Sequence, residues 1–112
     1  MKYSFHPTAK IELSGAVHYY ENCRMGLGAE FAKEVYSTVL RITEFPEAWS
    51  PFTKNTRRCL TRRFPYGVIY QIEEGQILII AVMQLNRKPN YWKKRIMYSN
   101  ISAIIKYTLG GG

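Results

Sequence analysis

The chain has 112 residues, 46% of them hydrophobic and 21% charged, a composition that predicts one folded domain over residues 1–112 and excludes a disordered chain. Its apolar run from Ile77 to Met83 is far shorter than the roughly 20 residues that a membrane-spanning helix needs, so no membrane segment is predicted. The N-terminus has neither the apolar core nor the cleavage site of a signal peptide, and we therefore expect a cytoplasmic protein.

The positive charge is concentrated in one part of the chain. The whole sequence has 16 Lys or Arg and 8 Asp or Glu, a net charge of +8. Ten of the basic residues and two of the acidic ones lie between Lys54 and Arg95, whereas the segments on either side are close to neutral. We therefore expect one cationic face, which is typical of proteins that bind polyanions or acidic partners.

Two amphipathic helices are predicted in the N-terminal half, after a short strand at Tyr3 to Phe5. Pro7 favours a helix start, because its missing N–H would be unpaired there anyway. Apolar residues at helical spacing then predict a helix from Thr8 to about Cys23 and a second one from Gly26 to just before Pro46. The short link between them favours a helical hairpin.

Strands are predicted in the C-terminal half, where the period of the apolar pattern changes to two. Trp49 to Thr56 is predicted as a loop, and Leu60 to Phe64 as the first strand after it. Tyr66 to Ile72 and Gln76 to Met83 are predicted to pair as an antiparallel hairpin, because Glu74 and Gly75 between them are typical of a tight turn.

These elements predict an α+β fold, a small antiparallel sheet with the helical hairpin packed on one face. The uninterrupted apolar residues of Ile77 to Met83 indicate an interior strand that is covered on both faces. A helical stripe through Ile101, Ile104 and Ile105 adds a C-terminal helix over about residues 97–109.

No metal site or cofactor is predicted. Cys23 and Cys59 lack the spacing of a zinc or redox motif, and we expect two free thiols. His6 and His18 lie apart in the N-terminal third, away from other metal ligands, and structural roles are expected for both.

Several short motifs recur together in an order that is fairly specific. They are Phe5-His6-Pro7, Tyr19-Tyr20-Glu21, Gly26-Leu27-Gly28, Arg62-Arg63-Phe64-Pro65-Tyr66, Val68-Ile69-Tyr70, and Arg87 with Pro89, Tyr91-Trp92 and Arg95. Over residues 3–95 the chain resembles the RelE/ParE superfamily of toxins from bacterial type II toxin–antitoxin (plasmid stabilisation) modules. The resemblance implies a cognate antitoxin of the RelB or ParD type, and a target that is either DNA gyrase or the ribosome with its mRNA.

Two positions depart from the ribonuclease branch of that superfamily. Gly67 stands where those enzymes usually carry an Arg after the strand's first Tyr, and Gln84 stands where similar sequences often carry a His. Cutting RNA by attack of a 2′-OH needs a base and an acid of suitable pKa. The basic half of the chain has no His, and an unperturbed phenol with a pKa near 10 is a poor base.

The candidate site residues are the basic residues of the cationic face with one aromatic residue among them. As a surface for nucleic acid or another target, the predicted set is Arg57, Arg58, Arg62, Arg63, Arg87, Lys88, Tyr91, Lys93, Lys94 and Arg95. Alternatively, these charges only solvate a strand edge and a loop. For a ribonuclease, the phosphate-binding and proton-donating candidates are Arg63, Arg87 and Tyr91. Which of Tyr91 and Trp92 faces outward is left open.

Three functional hypotheses follow from the resemblance and these departures. The first is a toxin that inhibits growth by binding a macromolecular target, as the gyrase-directed ParE-like branch does, and that its antitoxin neutralises. The second is a ribosome-dependent mRNA endoribonuclease of the RelE type, so enzymatic activity is left open. The third is a toxin fold that has lost its activity and serves as a regulatory protein.

Overall fold

The computed structural model describes residues 1–97, and within them two helices pack on one face of a five-stranded sheet. The strands are β1 (Lys2–Phe5), β2 (Pro51–Thr53), β3 (Thr56–Leu60), β4 (Tyr66–Glu73) and β5 (Gln76–Gln84), and the helices are α1 (Pro7–Cys23), α2 (Leu27–Glu44) and a single 3-10 turn at Lys93–Arg95. None of these helices is long and apolar enough to cross a membrane. The single domain over residues 1–112 stays a prediction.

Helix α1 begins at the predicted proline, and a short link joins it to α2, as the sequence predicts. Pro7 is the first residue of α1, and the His6 Nδ1 atom accepts a hydrogen bond from the Thr8 N–H at 3.1 Å, so that His6 caps the helix. Gly26 precedes α2 with a φ of 87°, a left-handed conformation that glycine adopts at little cost. Gly28 lets the helices approach closely, because a Cβ atom there would lie 2.5 Å from the Val17 carbonyl oxygen.

The strand order of the sheet is β1-β5-β4-β3-β2, and the sheet is mixed. The predicted hairpin of β4 and β5 is present, with Gly75 in its turn at a φ of 69°. The fold prediction is confirmed, with one refinement: β1 runs parallel to β5, whereas every other pair is antiparallel. The direction of β1 depends on the path that the helical hairpin takes across the sheet, which local sequence patterns do not report.

The first predicted strand of the C-terminal half lies earlier in the chain than predicted. The strand ends at Leu60, whereas residues 61–64, which were predicted to belong to it, form a turn together with Pro65. The Thr61 hydroxyl donates to the Phe64 carbonyl oxygen at 2.7 Å, and the Tyr66 N–H donates to the same oxygen at 2.8 Å. These bonds reverse the chain before Pro65 could enter a ladder. The predicted loop from Trp49 to Thr56 was also wrong, because it contains β2 and the first residue of β3.

A β-bulge interrupts the pairing of β4 with β5. Ile69 pairs with Ala81 and Tyr70 pairs with Ile79, so Ile80 is an extra residue in β5. As a result Ile80 and Ala81 both contribute to the core on the sheet face opposite the helices. Beyond the bulge, each side chain of β5 therefore points to the face of the sheet opposite to the one that it would face in a regular strand.

The core lies on both faces of the sheet. On the helix face, α1 and α2 pack on β3, β4 and β5 around Phe31, Val68 and Ile79. On the other face, Trp92 and Ile96 cover the apolar side chains of β4 and β5. Strand β5 is thus interior and covered on both faces, as predicted. The predicted C-terminal helix over residues 97–109 lies outside the described residues except for its first residue.

Candidate functional site

The β3–β4 turn and the segment after β5 meet at one end of the sheet. Tyr66 pairs with Gln84, and the Leu85 N–H donates to the Pro65 carbonyl oxygen at 2.9 Å. Four exposed basic residues of these two loops therefore lie at the same end of the sheet, which we call the cationic end. They are Arg62, Arg63, Arg87 and Lys88.

Helix α2 partly neutralises one side of the cationic end. The Arg63 guanidinium is 2.8 Å from Glu30, which also pairs with Arg24 at 3.1 Å. Hydrogen bonds from Arg63 and then Arg24 lower the pKa of the Glu30 carboxyl. The Arg62 N–H donates to the Glu34 carboxylate at 3.1 Å. An open cleft of about 360 Å³ lies between this turn and α2, and its lining has both charge signs.

Arg57 and Arg58, which were predicted for the same surface, lie apart from the cationic end and from each other. The Arg57 guanidinium donates to the carbonyl oxygens of Glu47 and Trp49, at 3.2 and 2.8 Å, so it holds the segment after α2. The Arg58 guanidinium lies over the Phe52 ring, 4.3 Å from the ring centre, on the face opposite the helices. The aliphatic part of Arg58 also fills the space above Gly67, where a Cβ atom would lie 3.1 Å from the Arg58 Cδ atom.

On the other side of the cationic end, Glu12 of α1 binds both β5 and the segment that follows it. Strand β1 ends at Phe5 and leaves the edge of β5 open beyond it. There the Glu12 Oε1 atom accepts hydrogen bonds from the Val82 N–H at 3.1 Å and from the Arg95 guanidinium at 2.9 Å. Arg95 also donates to the Ile80 carbonyl oxygen of the bulge at 3.1 Å. Both charged side chains are nearly buried, at 14% exposed for Glu12 and 13% for Arg95.

Tyr91 lies between the cationic side chains and α1. The Arg87 guanidinium is 3.7 Å from the centre of the Tyr91 ring, and the Arg95 guanidinium is 5.2 Å from it. The Tyr91 hydroxyl is buried and has no hydrogen-bond partner among the described residues. Burial, followed by the neighbouring Glu12 carboxylate, raises the pKa of the Tyr91 phenol well above its usual value. Trp92 is fully buried in the core, so Tyr91 is the more exposed of the two.

A pocket of about 280 Å³ opens beside Tyr91, between α1 and the end of β5. Its lining includes Glu12, Tyr19, Tyr66, Gln84 and Arg87. The second Glu12 carboxylate oxygen is buried here without a hydrogen-bond partner among the described residues, and the Arg87 guanidinium is 3.9 Å from it. The pocket therefore places one carboxylate and one neutral phenol beside an arginine.

The remaining predicted residues divide between the turn after Trp92 and the N-terminal third. Lys93 and Lys94 are exposed on the 3-10 turn. Burial, followed by the Arg95 charge, lowers the pKa of His6, whose Nδ1 atom is used in the helix cap. His18 is exposed on α1. Residues 1–97 contain no group of His, Cys, Asp and Glu that could hold a metal ion.

Sequence reasoning missed Glu12, which is absent from the predicted site residues. A weak signal was present, because Glu12 precedes the buried Leu13 and so lies at the border of the apolar stripe. Its partners, however, are 70 and 83 residues away in the chain. No spacing rule connects residues over such distances.

The helical hairpin on a small mixed sheet with a cationic end defines a class of small basic toxins, the RelE/ParE superfamily. The family model described as ParE toxin of type II toxin-antitoxin system, parDE, matches residues 3–89. The chain therefore belongs to this family, and it is the toxin component of a type II toxin–antitoxin system with an antitoxin as its partner.

A solved structure supports the fold. A chain of the chromosomal ParDE toxin–antitoxin system from P. aeruginosa superposes with a TM-score of 0.69 at 11% sequence identity. The superposition covers 77% of this chain and 97% of that one. No curated protein matches the chain in sequence.

Proposed function

We propose that this toxin inhibits growth by binding a macromolecular target through its cationic end, in the manner of the gyrase-directed ParE-like toxins, and that it does not cut RNA. The environment of Tyr91 carries this proposal. A general acid has to reach the leaving oxygen and to release its proton near neutral pH. The Tyr91 hydroxyl is buried, and its pKa is raised by burial and by Glu12.

The other residues of a ribonuclease site support the same conclusion. Arg63 is paired with Glu30, and Arg87 lies over the Tyr91 ring. Gly67 provides no side chain at the position of the usual arginine, and Arg58 covers the space above it. A binding toxin needs none of these groups free for chemistry, because it requires only a surface of suitable shape and charge.

Expression of the toxin without its antitoxin tests the proposal. Growth arrest with a DNA-damage response and full-length transcripts is expected, and Tyr91→Phe should arrest growth as strongly as the native chain. Loss of the phenol from a ribonuclease that uses it as an acid would lower cleavage by about 10²-fold or more. Shortened transcripts that depend on Tyr91 would therefore overturn the proposal, and so would unimpaired growth.

Charge reversal tests the proposed binding surface. Arg62→Glu together with Lys88→Glu should weaken target binding by about tenfold, because rim charges mainly set the association rate. Lys10→Glu together with Lys54→Glu is the matched control, since Lys10 is exposed in the first turn of α1 and Lys54 is exposed before β3, at the opposite end of that strand from the β3–β4 turn. Equal losses in the two double variants would show that overall charge, and not this surface, determines binding.

A further inference from the structure

The pocket beside Tyr91 is built from three separate parts of the fold. Glu12, Gly15 and Tyr19 line it from α1, where their spacing of three and four residues places them on one face of the helix. Tyr66 lines it from β4, and Arg87 lines it from the segment after β5. The pocket is therefore a feature of the folded chain, and binding of a target at the cationic end does not require it.

Two polar atoms of the pocket residues have no hydrogen-bond partner within residues 1–97. They are the second carboxylate oxygen of Glu12 and the hydroxyl of Tyr91, and both atoms are buried. Buried polar atoms are nearly always paired with protein, water or a ligand, because an unpaired one is costly. Tyr91 keeps its proton at neutral pH, since burial and Glu12 raise the pKa of its phenol. The pocket thus offers a ligand one charged acceptor and one neutral donor.

The space in the pocket suits a flat ring. At Gly15 no atom lies within 4 Å of an added Cβ atom, so the space extends to the backbone of α1. The Tyr66 ring contacts the Phe31 ring edge-on, with centres 4.8 Å apart, which fixes Tyr66 to the core, whereas Tyr19 is 63% exposed. The volume of about 280 Å³ is just below the roughly 300–1,000 Å³ of pockets for drug-sized ligands. A single ring system between tyrosine side chains is typical of nucleobase recognition.

The charges around the pocket restrict the ligand further. Arg95 and Arg87 already lie 2.9 and 3.9 Å from the Glu12 carboxylate, and the chain carries +8, so a cationic ligand would meet an excess of positive charge. A simple anion would meet the Glu12 carboxylate. The ligand that fits is neutral, with N–H donors, at its inner end and anionic at its outer end, because the Arg87 side chain is 56% exposed and Lys88 beside it is exposed as well.

We infer that the pocket binds a guanine nucleotide, with the base inside and the phosphate on the Arg87 guanidinium. The Watson–Crick edge of guanine has two adjacent N–H donors for the free Glu12 oxygen and a carbonyl oxygen that accepts from the Tyr91 hydroxyl. The planar guanidinium of Arg87 suits a phosphate. Adenine fits less well, because its amino group lies between two ring acceptors that would face the carboxylate. The inference rests on the pocket alone and not on the target proposed above.

Calorimetric titration of the toxin with guanosine 5′-monophosphate (GMP) tests the inference. GMP should bind at least about tenfold more tightly than adenosine 5′-monophosphate, because a site built for N–H donors rejects an analogue that lacks them. It should also bind more tightly than guanosine, which has no phosphate for Arg87. Equal binding of the two monophosphates, or of GMP and inorganic phosphate, would show that only the phosphate is bound and would overturn the inference. Absence of GMP binding would overturn it too, since water alone would then pair the two buried atoms.

Guanine has two sources, a free nucleotide and an unpaired base of a nucleic-acid strand, and competition against GMP separates them. The probes are a short single-stranded oligonucleotide with one guanine and the same strand with adenine in its place. A strand that displaces GMP only when it carries the guanine identifies the nucleic acid as a source. Equal displacement by the two strands identifies the free nucleotide as the ligand, because the strands then bind through their phosphates alone.

A matched pair of leucine variants tests the place of binding. Gly15→Leu fills the pocket and leaves its polar groups intact, and it should fold as the native chain does, since the space at Gly15 is open and leucine is a good helix former. It should bind GMP at least about tenfold more weakly, because its side chain occupies the site of the base. Ser14→Leu, at the neighbouring exposed position outside the pocket lining, should bind as the native toxin does. Circular dichroism checks the folding of both, and equal affinity of the two folded variants would contradict the inference.

Discussion

A single carboxylate, that of Glu12, connects three segments that are far apart in the chain. It accepts one backbone N–H from β5 and one guanidinium N–H from Arg95, and both side chains are almost excluded from water. An ion pair in such a position is costly to break, because the remaining partner keeps its charge without compensation. The anchoring of the segment after Tyr91 therefore depends on this residue.

Glu12→Ala is expected to lower the free energy of unfolding by about 3 kcal/mol, because Arg95 becomes a nearly buried charge without its carboxylate and the Val82 N–H loses its acceptor. Glu30→Ala is the control. Glu30 also pairs with two arginines, but on the surface, where water screens such pairs and they add little to stability. Urea unfolding of both variants measures the difference, and similar losses would show that Glu12 is an ordinary surface residue.

At the scale of elements, the close approach of α1 and α2 depends on Gly28. A methyl group there would meet the Val17 carbonyl oxygen at 2.5 Å, and backbone can yield only by moving the helices apart. Gly15 of α1 is also a glycine within a helix, but no atom lies within 4 Å of a Cβ added to it. The two positions therefore separate a steric requirement from the intrinsic cost of glycine in a helix.

Gly28→Ala is expected to destabilise the protein by about 1–3 kcal/mol through this clash. Gly15→Ala is expected to stabilise it by about 0.5–1 kcal/mol, since alanine loses less conformational freedom on folding. Thermal unfolding followed by circular dichroism measures both. A stabilising effect at both positions would mean that the helices are not in close contact at Gly28.

The elements that the sequence predicted well are those whose signal is local. The apolar period of α1 and α2, and the turn at Gly75 between β4 and β5, each lie within a few residues of the element they specify. Strand β3 was displaced because the alternation around Cys59 continues into a turn that Thr61 closes by side-chain hydrogen bonds. The partner of β1 and the role of Glu12 were not predictable, because both depend on contacts between residues that are about 70 positions apart.

At the scale of the whole molecule, the basic side chains do not form the single cationic face that the sequence predicted. Of the ten predicted surface residues, Arg57 and Arg95 bind carbonyl or carboxylate oxygens of the fold, and Arg58 lies on a ring on another face. The cationic end retains Arg62, Arg63, Arg87 and Lys88. Composition predicted a cationic surface, but only the fold shows which charges have structural partners.

Buried phenols should make the whole molecule sensitive to alkali. The Tyr70 hydroxyl donates to the Pro46 carbonyl oxygen at 2.5 Å, and burial raises the pKa of Tyr70 to about 12. In the unfolded chain this phenol ionises near pH 10, whereas in the native protein it stays neutral to about pH 12. The unfolded state therefore loses the proton first, and stability that is present below about pH 10 is lost as the pH rises toward 12.

Denaturant unfolding at pH values between about 8 and 11 checks this expectation, and Tyr70→Phe should make the alkaline loss of stability shallower because it removes one of the titrating groups. A free energy of unfolding that does not change above about pH 10 would contradict the argument.

The parallel pairing of β1 with β5 has a consequence for the synthesis of the toxin. The helical hairpin is complete at Glu44, but the strands that cover its apolar face are complete only at Gln84. At about 5–20 residues per second, a ribosome needs roughly two to eight seconds to add those 40 residues. During that interval the first strand has no partner and the nascent chain cannot act as a toxin.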